Sequence, residues 1–71
     1  MTDHVYSVTE IVGSSTESIE KAIQNAVSVA SETLRNIEWF EVVDTRGHIA
    51  DNKVAHFQVA IKIGFRYDRQ G

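Results

Sequence analysis

The residues of this chain whose chemistry could serve a small molecule gather in its second half. Trp39 is the single tryptophan, a planar indole able to stack on another ring. Gln58 carries an amide with one acceptor oxygen and two N–H donors, able to read a ring edge that displays both C=O and N–H groups. Asp44, Arg46 and His48 alternate along one segment, where the guanidinium fork suits a phosphate or a carboxylate, or simply decorates a solvated hairpin end. His56 stands two residues before Gln58 and reads more readily as a surface or interface residue than as a base. Motifs of catalysis are missing: there is no Ser-His-Asp spacing, no GxGxxG and no P-loop. His48 and His56 lack the i, i+4 spacing of a helical metal pair, and the chain has no cysteine to supply thiolates. Nothing reads as an activated nucleophile, so the expectation is a binding protein and not an enzyme.

Four elements must position these groups within one domain, residues 1–71. His4 to Gly13 is rich in β-branched residues and reads as a strand. Gly13-Ser14-Ser15-Thr16 breaks it, and Ser14 with Glu17 three residues on fits a capping box, Ser15 being a competing N-cap. From Thr16 to Arg35 the apolar period is helical, with Ile19, Ala22, Ile23, Ala26, Val27, Ala30 and Leu34 on one stripe. Ile37 to Thr45 is a second strand, Arg46 to Asn52 the connection with Asp51-Asn52 as its turn, and Lys53 to Tyr67 a third strand. The helix reverses the chain and the hairpin reverses it again. The fold expected is therefore α+β: β-α-β-β, a three-stranded antiparallel sheet of order 1-3-2, one helix packed on one face.

One sheet face is left without a helix. On strand three Ala55, Phe57, Val59, Ile61, Ile63 and Phe65 point to the core, and His56, Gln58, Ala60, Lys62 and Gly64 to the open face. On strand two strict alternation puts Phe40 and Val42 in the core. Ile37, Trp39, Glu41, Val43 and Thr45 fall on the open face, where Glu41 and Lys62 are placed to pair. Trp39 thus shares the open face with Gln58. A chain of 71 residues has little reason to show Trp39 and Val43 to water, so another subunit or a flat ligand must cover them. In one reading the indole only fills a subunit interface; in the other it is a stacking platform.

Size and charge bound the alternatives. Domains below about 70–80 residues often need a disulfide, a metal, a ligand or oligomerisation to hold together. With no cysteine and three histidines, self-assembly or a ligand remains. A net charge of −3 gives no footprint for nucleic acid or anionic lipid. No run approaches a membrane span, no signal-peptide pattern is present, and absent cysteines fit a cytoplasmic location.

Nearly the whole chain resembles a dodecin, a small flavin-binding protein. The likeness rests on Glu10-Ile11-Val12-Gly13-Ser14-Ser15 before the helix, Thr33-Leu34-Arg35-Asn36-Ile37-Glu38-Trp39-Phe40-Glu41-Val42, Arg46-Gly47-His48-Ile49, Ala55-His56-Phe57-Gln58-Val59 and Ile63-Gly64-Phe65-Arg66. The resemblance implies a β-α-β-β fold and a homododecamer forming a hollow shell of tetrahedral symmetry, helices outward. Flavins would be paired at two-fold interfaces between tryptophans. It implies Trp39 as stacking residue, Gln58 as partner of the isoalloxazine edge and Arg46 as a further flavin contact, although strict alternation places Arg46 on the face opposite Trp39. It further implies flavin storage or sequestration, with photoprotection by the stacked indole. FMN is the favoured ligand because Arg46 suits a phosphate, riboflavin or FAD are alternatives, and coenzyme A is a candidate second ligand. The competing class is a purely structural or protein-interaction oligomer without flavin.

Overall fold

The computed structural model describes residues 3–67. β1 (Tyr6–Ser15) is followed by α1 (Ile19–Ala30), β2 (Ile37–Ala50) and β3 (Lys53–Arg66), in one sheet of order β1-β3-β2 with both pairings antiparallel. Class and strand order are those expected from the sequence. The boundaries differ, and each difference has a local cause.

β1 runs two residues past Gly13 because Ser14 and Ser15 still pair with Gln58 and Phe57. Gly13 is needed there for contact with the helix. A Cβ at this position would overlap the Ala22 carbonyl oxygen and lie 2.8 Å from Ala26 Cβ. The Ser15 hydroxyl accepts from the Glu17 amide at 2.9 Å, making a turn in place of a helix start. The N-cap is Ser18, whose hydroxyl accepts from the Lys21 amide at 3.0 Å, and not Ser14 or Ser15. The helix ends at Ala30, not Arg35; the Ser31 hydroxyl donates to the Ser28 carbonyl at 2.7 Å and turns follow. Twelve residues make a helix of about 18 Å, against about 30 Å for the longer span. Ser18→Ala should therefore destabilise the fold by about 1 kcal/mol and lower Tm by about 4–8 °C. Ser14→Ala, which removes no cap, should leave the unfolding curve nearly in place.

Asn36, in a left-handed conformation (φ 62°), turns the chain into β2, and its carbonyl accepts from the Arg66 amide at 3.0 Å. Arg46 to Ala50 is strand, not connection: the turn is only Asp51-Asn52, both with positive φ (54° and 63°), as a tight two-residue hairpin requires. Ala22, Ala26 and Ala30 pack on Val59, Ile61 and Ile63 to form the core, with Ile23, Val27, Leu34 and Ile37 at its margin. The small alanines let α1 lie close on β1 and β3.

β2 extends past this cover. Every β2 residue after Ile37 is exposed, including Phe40 and Val42 on the helix side and Trp39 on the other. The isolated chain is stretched to 56 × 20 × 14 Å. Its radius of gyration is 14.9 Å, where a compact chain of this length has about 11 Å. Its accessible surface is 5385 Å², against about 4450 Å² for a typical monomer of this mass. β2 is an edge strand whose two faces both leave apolar side chains uncovered in the isolated chain.

Candidate functional site

The open sheet face is ordered by irregularities in β2. Register shifts fall between Ile37 and Trp39, between Val42 and Asp44, and between His48 and Ile49. The first two insert an extra residue into β2 and change which of its residues face which side, and the third inserts Ala55 into β3. The first leaves Ile37 opposite Phe65 and packed against the core, so its expected place on the open face is corrected. The second makes Val43 the extra residue. Beyond it Asp44, Arg46 and His48 stand opposite Ala60, Gln58 and His56, on the side of Trp39, while Thr45 pairs with Val59 on the helix side. Strict alternation would have put Arg46 on the wrong face and Thr45 on the open one; one bulge reverses both.

Trp39 lies opposite Gly64. The indole rests flat on that glycine: a Cβ at 64 would overlap Cε2 and Cζ2 and stand 2.6 Å from Cδ2. Tyr6 meets the indole edge-on, with ring centroids 6.4 Å apart and planes at 62°. The Tyr6 hydroxyl donates to Glu38 Oε1 at 3.0 Å, and Arg66 Nη1 donates to Glu38 Oε2 at 3.4 Å. The hydrogen bond to the Glu38 carboxylate raises the Tyr6 phenol above its ordinary range, with desolvation and the Glu38 charge adding to it and Arg66 opposing. Tyr6, Glu38 and Arg66 thus buttress a tryptophan that is still 41% exposed, leaving ring surface for a partner.

A second cluster forms around Gln58. Arg46 is its direct partner across the ladder and pairs with Asp44 at 3.2 Å, an exposed ion pair of small energetic weight. His48 Nε2 lies 3.2 Å from Gln58 Oε1. The His48 and His56 rings stack at 4.5 Å with planes 15° apart.

The two clusters share a face but not a neighbourhood. Gly64 lies six positions along β3 from Gln58, or about 20 Å of strand. A ring laid on Trp39 lies beyond the reach of Gln58 in the same chain. The sequence pattern placed Trp39 and Gln58 on one face; it did not reveal this distance. Between them Lys62 faces Glu10 on one side and Glu41 on the other. Tyr6, Glu38 and Arg66 were not singled out from sequence. The one sequence signal for this arrangement was Gly64, a glycine inside a strand, which marks a close approach.

No helix among the described residues is long and apolar enough to cross a membrane. A family model described as Dodecin matches residues 5–68. The chain is 45% identical over 64 residues to a dodecin of Thermus thermophilus, covering 90% of this chain and 93% of that one. The structure of a dodecin from Streptomyces davaonensis superposes with a TM-score of 0.92 at 50% identity, covering 96% of this chain and all of the other. That of a dodecin from Streptomyces coelicolor gives 0.92 at 50% identity, covering 99% of this chain and all of the other.

Proposed function

The chain belongs to the dodecin family, and from that premise we propose that it binds flavin for storage and sequestration, without catalysing a reaction. The observation that carries the proposal is the indole of Trp39 laid on Gly64, buttressed from one edge and exposed on the open sheet face. Such a surface accepts a planar ring. A bound flavin would bring light absorption and redox reactivity, and an indole in contact with it offers the excited ring a non-radiative route.

The assembly enters through geometry. Trp39 and Gln58 sit about 20 Å apart along β3. A flavin that stacks on one and hydrogen-bonds the other therefore takes them from two copies of the chain. The bare β2, the stretched shape and the excess surface support such an assembly, and the family points to a homododecameric shell. The proposed site is Trp39 of one copy with Gln58 and Arg46 of another. The residues present fit the ligand: an aromatic platform, an amide for the ring edge and a guanidinium for a phosphate. FMN is the favoured flavin over riboflavin or FAD, coenzyme A a second ligand, and the cytoplasm the proposed location.

The test is titration of ligand-stripped protein with FMN, following flavin and tryptophan emission together. Joint quenching that saturates near one flavin per chain is expected. If neither emission changes, Trp39 serves only an interface. Arg46→Ala should weaken FMN several-fold while leaving riboflavin, which has no phosphate, nearly unaffected; equal losses for the two would place Arg46 away from the phosphate.

A further inference from the structure

The hydrogen bond between His48 and Gln58 decides what the Gln58 amide can recognise. An amide presents a donor or an acceptor in nearly the same place, depending on a half-turn of its end. We propose that His48 is a positioning residue that holds Gln58 with its two N–H donors toward the ligand, so that this cluster selects the acceptor edge of a planar heterocycle. The inference deepens the flavin reading above and rests on it for the identity of the ligand.

Gln58 Oε1 is placed toward His48 Nε2 at 3.2 Å, an arrangement in which the Nε2–H donates and Oε1 accepts. That leaves the amide N–H groups for a ligand, beside the donor-only guanidinium of Arg46 across the ladder. If the imidazole proton moved to Nδ1, Nε2 would become an acceptor, the amide would turn, and its carbonyl would face outward. The imidazolium form has donors only. Protonating His48 therefore removes the alternative and makes the bond to Oε1 charge-assisted.

The surroundings keep this choice local. His56 stacks on His48 at 4.5 Å and 15°, fixing the ring plane. From β2 the charged neighbours are Arg46 and Asp44, which pair with each other at 3.2 Å. From β1 the residue opposite Gln58 is the uncharged Ser14, and the β1 pairing ends one residue later, opposite Phe57. α1 packs on the other face of the sheet.

Acidification should thus tighten binding of an acceptor-edged ring through Gln58. Riboflavin is the probe, because it has no phosphate for an imidazolium to attract. Titrated into the full-length protein, it should bind about three- to tenfold tighter at pH 5.5 than at pH 8. In His48→Phe, which keeps a ring against His56, this pH dependence should vanish. An affinity independent of pH in the unaltered protein, or the same dependence in the variant, overturns the proposal. A second readout needs no ligand: with ¹⁵N-labelled glutamine, the Gln58 side-chain amide resonances should move between pH 8 and 5.5, and stay still in His48→Phe. If riboflavin fails to bind at either pH, the flavin reading falls and this amide signal decides the role of His48. The same holds, on the unaltered protein alone, if the variant does not fold. A Gln58 amide unmoved by pH overturns the assignment.

Discussion

Trp39→Ala should lower flavin affinity by about 100-fold or more while the protein stays folded and assembled. The magnitude follows from stacking. An aromatic platform contributes about 1–3 kcal/mol per stacked ring, and each 1.4 kcal/mol is a factor of ten. The upper end applies here because the indole is fixed before any ligand arrives: Gly64 lies beneath it and Tyr6 closes one edge. Little ordering remains to be lost on binding. The fold should survive because Trp39 lies outside the core, which is made by Ala22, Ala26, Ala30, Val59, Ile61 and Ile63. Measurement is by flavin fluorescence for affinity and by size-exclusion chromatography for assembly. The competing reading, a tryptophan that only packs between subunits, expects the reverse: the assembly breaks and no flavin effect exists to lose. An assembled variant with unchanged affinity would remove Trp39 from the site altogether.

The helix stripe follows one period and β3 does so from His56 onward, so the core on Ala22, Ala26, Ala30, Val59, Ile61 and Ile63 was legible, whereas Ala55, expected on the core face, is the extra residue of the third register shift and is exposed. Reversal of the chain by helix and turn then left only the order 1-3-2 for an antiparallel sheet, and an open face carrying Trp39. β2 does not keep one period. Its bulges at Glu38 and Val43 leave no distinctive residue type behind, and they decide the faces of Ile37, Thr45 and Arg46. Counting alternate residues therefore misplaced all three. The N-cap was illegible for another reason: Ser14, Ser15 and Ser18 all have the right chemistry, and only the continued pairing of β1 uses up the first two. The separation of Trp39 from Gln58 is a matter of register, which pairs Gly64 with Trp39 and Gln58 with Arg46. Sharing a face is a local property, whereas sharing a ligand depends on how copies of the chain meet.

Gly64→Ala tests the platform without touching an aromatic residue. Within the subunit, a Cβ at this position would occupy space now held by the fused edge of the indole, overlapping Cε2 and Cζ2. The backbone of β3 cannot retreat, because Gly64 is paired to Val8 on one side and to Trp39 on the other. The indole is the group that must move off its seat. Flavin affinity should fall by about tenfold or more, since the ring loses a flat, pre-set surface. Tryptophan emission of the ligand-free protein should shift to the red as the indole meets more water. Gly47→Ala is the control, in the same hairpin and near the Gln58 cluster. Its Cβ would find only the His56 carbonyl oxygen at 3.5 Å and Val54 Cγ1 at 3.9 Å, both ordinary contacts. It should leave the indole emission unchanged. If Gly64→Ala keeps full affinity and an unshifted emission, the indole does not depend on the glycine beneath it, and the account of a pre-set platform is wrong even if flavin binds.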